Sequence, residues 1–311
     1  MIRKIKYFLS VIKNLFREFG SSDPMIYASS IAFFTIFALP AILVLIINTS
    51  GNLFGEEAIT GELASQVESL IGKESAEQVQ KIVKNATQSE SGIIATIISI
   101  VTLFIAATTV FTLLQRALNK IWHVKPKPKK EWLKMIKDRL ISFFIVIGLG
   151  LILAVSISFD TIIAAFSDLI NERVFGLSIY LVWIINFLLS FGLLSFVFAV
   201  IFKVLPDANV RWKDVWVGTV ITTLLFIGAK FVIGMVIGNS TVTTAYGAAG
   251  SVIVILVWVY FSTMILLLGA AITQVYAREL GKQIKPSGHA IRTGDPDDYK
   301  VKKHKKKQES D

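Results

Sequence analysis

The chain has 311 residues, 54% of them hydrophobic and only 17% charged; 32 Lys and Arg against 22 Asp and Glu give a net charge of +10, and there is no cysteine. A mean hydropathy of +0.65 is too apolar for a water-exposed surface, since soluble domains carry about 25% charged residues. The missing cysteine excludes disulfides, thiolate metal sites and thiol nucleophiles.

Twenty-seven of the 32 basic residues fall in four segments, 1–25, 115–139, 203–214 and 277–311, separated by long uncharged runs. The polar stretches between them, 49–91, 167–178 and 239–249, hold only Lys73, Lys81, Lys84 and Arg173. This is the positive-inside pattern of a polytopic membrane protein, with the basic segments in the cytoplasm. It also argues against nucleic acid as a partner. The charge lies in short loops beside apolar spans, where it sets orientation and meets anionic lipid headgroups.

In chain order, residues 1–24 form a cytoplasmic amphipathic helix. Ile2, Ile5, Phe8, Leu9, Ile12, Leu15, Phe16 and Phe19 recur at helical spacing among Arg3, Lys4, Lys6, Lys13 and Arg17. Such a helix lies in the headgroup plane or packs on the inner face of a bundle. Residues 25–277 form a membrane domain of six spans, at about 25–48, 92–114, 140–166, 177–202, 215–237 and 250–276. Pro40 kinks the first span. The outer segment 49–91 carries seven glutamates against three lysines and two short amphipathic stripes, read as a small helical cap. The polar break at 238–247 divides a run too long for one span. The tail, 278–311, is polar and basic and is expected to be disordered. Six spans place both termini in the cytoplasm. The fold class is therefore all-α: a six-span helical membrane protein with an interfacial N-terminal helix and an outer cap.

Four short runs carry a resemblance: Ala117-Leu-Asn-Lys-Ile-Trp122, Leu205-Pro-Asp-Ala-Asn-Val-Arg-Trp212, Tyr246-Gly-Ala-Ala-Gly-Ser251, and Trp258-Val-Tyr260 with Gly269-Ala270. In this order and spacing they resemble the YihY/BrkB (UPF0761) family of bacterial inner-membrane proteins over roughly residues 10–285. One departure is Ala271, where the family usually has a glutamate. The resemblance implies an inner-membrane protein. The family has also carried the label ribonuclease BN, which the residues do not support. Metal-dependent phosphodiester hydrolysis needs clustered His, Asp or Glu, whereas His123, His289 and His304 are far apart in sequence and Asp295, Asp297 and Asp298 lie in the tail. No enzyme activity and no cofactor or metal is expected.

Asp160 and Lys230 are the charges inside apolar spans, and Asn186 is a further polar group at membrane depth. Charges there are costly and usually face a partner or a pathway. At ~1.5 Å per residue, Lys230 lies about 22 Å and Asp160 about 30 Å from the inner ends of their spans. They either pair in the outer half of the bundle, or Asp160 meets outer water while Lys230 snorkels alone. Arg116, Asn119, Trp122, Arg211 and Trp212 fall at the inner boundary, as depth anchors or as contacts to phosphate-bearing headgroups. Gly234 and Gly238 make a Gly-x-x-x-Gly step that permits close helix packing, including a homodimer. Together with Pro40, Tyr246, Gly247 and Gly250 they are candidate hinge or packing positions. No nucleotide-binding Gly-x-x-x-x-Gly-Lys-Ser/Thr run is present.

The leading reading is a transporter or lipid-handling protein of the bacterial inner membrane, acting on an amphipathic or anionic envelope molecule. Its partners are membrane lipids, anionic on the cytoplasmic side. The alternative is a non-transporting scaffold that engages an envelope protein. If Asp160 and Lys230 pair, exchanging the two charges restores folding or activity lost in either single reversal; no rescue in the double variant counts against the pair.

Overall fold

The computed structural model describes residues 2–38, 92–127, 177–238, 248–279 and 283–293. These form six helices and four short strands: α1 (Ile2–Ser21), α2 (Pro24–Ala38), α3 (Gly92–Ile121), β1 (Val124–Pro126), α4 (Leu177–Val204), β2 (Ala208–Asn209), α5 (Trp212–Gly238), α6 (Ala248–Glu279), β3 (Lys285–Pro286) and β4 (Ala290–Arg292). The expected first helix and spans two, four, five and six correspond to α1, α3, α4, α5 and α6. The described part of the first span is α2. The third span, the outer cap at 49–91 and Pro40 lie outside the described residues.

Four helices contain stretches long and apolar enough to cross a membrane: Ile100–Ile121, Phe187–Val204, Trp212–Ile233 and Val252–Glu279. Their exposed surfaces are apolar, with Ile105, Leu188, Leu224, Phe231 and Phe261 all facing out. A helix that is apolar on its outer face as well as its inner one is suited to lipid rather than water. The local stops are equally physical. Asp23 takes a positive φ of 52° between α1 and α2, a conformation that short polar side chains tolerate. Pro24 then occupies the first turn of α2, where its missing N–H costs nothing. His123, also at φ 52°, ends α3, and its amide donates to Lys120 O at 3.2 Å.

The chain divides into two compact units. Among the described residues, one unit holds 19–38, 92–117, 224–238 and 248–268. Ala28, Ile31, Ala32, Ala106, Leu114 and Val254 are buried there, and Phe226 meets Trp258 edge-on with ring centroids 6.1 Å apart. The other holds 2–18, 118–127, 177–223, 269–279 and 283–293. Its core is Leu118, Ile121, Trp122, Phe202, Val210, Val215 and Ala270, with Trp122 and Phe202 edge-on at 6.2 Å.

Within that second unit α5 and α6 run antiparallel and touch at a reciprocal seam. A Cβ added at Gly218 would fall on Thr273 Oγ1 and 2.9 Å from its Cβ; one added at Gly269 would fall on Thr222 Oγ1 and 2.8 Å from its Cβ. Each helix thus carries a glycine followed four residues later by a threonine, and each threonine fills the other helix's glycine gap. The two hydroxyls are satisfied by their own helices. Thr222 Oγ1 donates to Gly218 O at 2.7 Å and Thr273 Oγ1 to Gly269 O at 2.9 Å. Small residues permit this approach, and in lipid the resulting van der Waals contact is what holds helices together. Gly234 and Gly238, the expected packing step, lie near the end of α5, and Gly250 is buried in α6.

The disordered tail expected from residue 278 is corrected in two places. Residues 278–279 belong to α6, and 283–293 are ordered as strands. β1 pairs antiparallel with β4, Lys125 opposite Ile291, and β2 pairs antiparallel with β3, Asn209 opposite Lys285. Polarity made this stretch look unable to fold, but it is held by backbone pairing to two distant loops.

Replacing Gly269 with Ala is expected to cost about 1–3 kcal/mol through overpacking, read as a lower unfolding temperature in detergent micelles. Adding Thr222→Ala to that variant should recover part of the loss. An unchanged midpoint in Gly269→Ala would contradict the seam.

Candidate functional site

The polar residues of the second unit gather at the ends of its helices around two buried carboxylates. The first is Asp207, 4% exposed, in the turn after α4. Leu205 and Pro206 stop that helix, because the position before a proline disfavours the helical conformation. Asn119, buried near the end of α3, then grips Asp207 twice: its Nδ2 donates to Asp207 Oδ2 at 2.8 Å, and its Oδ1 accepts from the Asp207 backbone N at 2.8 Å. On the other side His289 Nε2 lies 2.8 Å from Asp207 Oδ1. The backbone N of Ser287 donates to Asp207 O at 3.0 Å. One aspartate therefore joins three segments distant in sequence: the end of α3, the α4–α5 turn and the 283–293 strap.

The second carboxylate is Glu18 of α1, also 4% exposed. It stands 2.6 Å from His123 Nε2 at the end of α3 and 3.4 Å from Arg278 Nη1 near the end of α6. The histidine contact is close but off hydrogen-bond alignment, so it acts as an ion pair when His123 is protonated. Burying a carboxylate is costly unless it is paired, and here the compensation comes from three helix ends meeting. The strap is anchored at the same place, since Thr293 N donates to His123 O and Lys127 N to His289 O, both at 2.8 Å.

Each residue singled out from sequence has a definite setting where it is described. Asn119 and Trp122 are buried, the first on Asp207 and the second donating from Nε1 to Ala270 O at 3.4 Å; neither side chain faces headgroups. Arg211 closes a fork on Asp214, Nε to Oδ2 at 2.9 Å and Nη2 to Oδ1 at 3.0 Å. Its bidentate face, expected for phosphate, is therefore occupied at the start of α5, where Asp214 also suits the helix dipole. Trp212 is half exposed, and Lys203 sits 5.7 Å over its ring while donating to Val210 O. Arg116, in the other unit, is exposed. Lys230 is exposed beside Phe231 and Val232. Asp160, Tyr246 and Gly247 lie outside the described residues, and so does the expected pairing of Asp160 with Lys230. Asn186 lies within α4.

Sequence reasoning missed Glu18, Asp207, His123, His289 and Arg278 as a set. A signal was present: an acid inside a strongly basic segment is either solvated or neutralising something buried. His123 and His289, far apart in sequence, each stand against a carboxylate; His304 lies outside the described residues. Asp207, His289 and Ser287 do not form a nucleophile relay. Ser287 Oγ is 3.3 Å from the same ring nitrogen that meets Asp207 and 3.5 Å from the other, whereas such a relay needs serine and acid on opposite nitrogens at shorter range. Among the described residues no group of three or more His, Cys, Asp or Glu could hold a metal ion.

A second polar feature lies within the stretches long and apolar enough to cross a membrane. Ser195 of α4, Thr219, Thr222 and Thr223 of α5, and Thr273 and Gln274 of α6 are all at most 3% exposed. Ser195 Oγ and Thr223 Oγ1 are 2.9 Å apart across the α4–α5 contact. Gln274 Oε1 is buried with no hydrogen-bond partner among the described residues.

A family profile described as virulence factor BrkB matches residues 15–293. Similar curated proteins include several UPF0761 membrane proteins. One from Verminephrobacter eiseniae is 29% identical over 271 residues, 84% of this chain and 60% of the relative. One from Methylibium petroleiphilum is 30% identical over 285 residues, 89% and 64%, and one from Idiomarina loihiensis 26% identical over 204 residues, 65% and 66%. The chain spans about half to two thirds of the length of such relatives. No solved structure matches it.

Replacing Asn119 with Ala removes two hydrogen bonds from a buried carboxylate and its backbone, and is expected to cost about 1.5–3 kcal/mol. The loss should be local first. Amide hydrogen exchange at Lys127, Ser287 and Thr293 should accelerate at least about tenfold, the equivalent of 1.4 kcal/mol. Unchanged protection of the strap would show that Asp207 does not hold it.

Proposed function

Because the chain belongs to the BrkB family of UPF0761 membrane proteins, we propose that it is a transporter or lipid-handling protein of the bacterial inner membrane, acting on an amphipathic or anionic envelope molecule, with both termini in the cytoplasm. The observation that carries this reading is the buried row Ser195, Thr222, Thr223, Thr273 and Gln274 inside membrane-length helices. Polar groups at that depth are costly and tend to mark the route of a polar substrate. Gln274 contributes a carbonyl oxygen with no hydrogen-bond partner among the described residues, which a substrate hydroxyl, amine or water would satisfy. The positive-inside distribution of Lys and Arg supports the orientation.

The second reading, a non-transporting scaffold for envelope assembly, draws on a different feature. The Gly218–Thr273 and Gly269–Thr222 contacts are closed, and their hydroxyls are satisfied within each helix. A rigid pair of this kind suits a docking platform as well as the fixed half of a transporter. An enzyme reading has less support, because His123 and His289 are each engaged by a carboxylate that also joins chain segments.

Reconstitution into liposomes distinguishes the two. Flux of fluorescent phospholipids or of ions by the wild type should exceed protein-free background, and Gln274→Leu should lower it several-fold while leaving the protein folded. Wild-type flux at background across anionic and zwitterionic lipids and ions would remove the transport reading and leave the scaffold.

A further inference from the structure

The ribbon formed by β1 and β4 has one face turned inward and one turned out. In an antiparallel pair, opposed residues share a face and successive residues alternate. Val124 is 4% exposed and marks the inward face. Lys125 lies opposite Ile291 on the other face, and Lys127, whose amide continues the ladder to His289, follows on that same face by alternation. Lys125 and Lys127 are exposed, and Ile291 is 45% exposed. Arg292 and Lys285 are exposed in the strands beside them. Neither 124–127 nor 283–293 contains an acidic residue. The outcome is a small basic face with an isoleucine set between its lysines.

Its position along the chain limits what it can meet. The candidate membrane-crossing stretch of α3 reaches Ile121, its last turns carrying Arg116, Asn119 and Lys120, and β1 begins three residues later, within roughly 10 Å of that helix end. A headgroup layer is about 5–7 Å thick on each side of the hydrocarbon, and a lysine side chain crosses most of the remainder. Pro126 and Pro286 lack the amide that an added strand would need, and lysine-rich edges discourage strand addition further. A protein partner docking by strand extension is thereby disfavoured, and charge complementarity favours an anionic surface.

We propose that the exposed face of the β1–β4 ribbon, Lys125, Lys127 and Ile291 flanked by Arg292 and Lys285, docks on anionic phospholipid headgroups, with Ile291 entering the boundary between headgroups and acyl chains. This rests on α3 spanning the membrane but not on any transport activity. It also gives the 283–293 strap a role beyond joining loops, because the strap supplies Ile291 to the face.

The chain has no cysteine, so a single Thr293→Cys substitution in the full-length protein can carry an environment-sensitive fluorophore beside the ribbon. In phosphatidylcholine nanodiscs with rising phosphatidylglycerol, the probe should report a saturable response. That response should be absent in phosphatidylcholine alone and weaker in about 0.5 M salt. Lys125→Gln with Lys127→Gln should raise the phosphatidylglycerol needed for half-response by roughly fivefold per lysine removed, whereas Lys125→Arg with Lys127→Arg should leave it unchanged. An unaltered response in the Gln variant, or an equal response to inorganic phosphate or a soluble RNA oligonucleotide, would overturn the proposal. A wild type that moves no lipid or ion yet keeps the phosphatidylglycerol response would refute transport and leave the ribbon assignment standing.

Discussion

The architecture of the second unit depends on a buried carboxylate. Asp207 accepts from the Asn119 amide and meets the His289 ring, while its own backbone N and O bond Asn119 and Ser287. An anion taken out of water must be surrounded by donors, and no single helix offers enough of them. The donors come instead from the end of α3 and from the strap, so solvating one charge fixes the mutual position of three segments. Glu18 repeats the arrangement with α1, α3 and α6. A chain whose net charge is +10 thus uses two of its few acids as the internal ties of its basic loops.

The Gly–Thr seam holds α5 and α6 together by a different force. In lipid there is no hydrophobic gain in bringing two apolar helices together, so close contact has to supply the attraction. Glycine removes the obstacle, and a threonine that returns its hydroxyl to its own helix offers methyl and methylene surface without an unsatisfied polar atom. Ser195 and Thr223 extend this chemistry to α4. Among the described residues Gln274 departs from it, a buried amide oxygen with no hydrogen-bond partner beside neighbours that are satisfied. Lys230 is exposed beside Phe231 and Val232, and its expected partner Asp160 lies outside the described residues.

Much of the helical framework was legible in advance. Span limits came from charge and apolar run length, and α3 to α6 extend only a few residues beyond the limits expected, because a helix continues until its last carbonyls are capped rather than stopping where apolar residues end. Boundary residues were legible as a class but not in their roles. Asn119, Trp122 and Arg211, expected at the inner boundary, lie at helix ends, and the partners that occupy them, Asp207, Ala270 O and Asp214, are set by packing. Arg211–Asp214 was within reach of sequence reasoning, being three residues apart at a helix start. Asn119–Asp207, separated by 88 residues, was not.

By itself the sequence determined that this is a helical membrane protein, because long apolar runs are favoured in lipid whatever they pack against. It also determined which segments are basic, hence the expected orientation. The tertiary structure decided which glycines are packing points, that 283–293 is a strap rather than a tail, and that histidines far apart in sequence each stand against a buried acid. These depend on which distant atoms come within 3 Å of one another. A local pattern of charge and polarity reports the cost of burying a group but not the partner that offsets it.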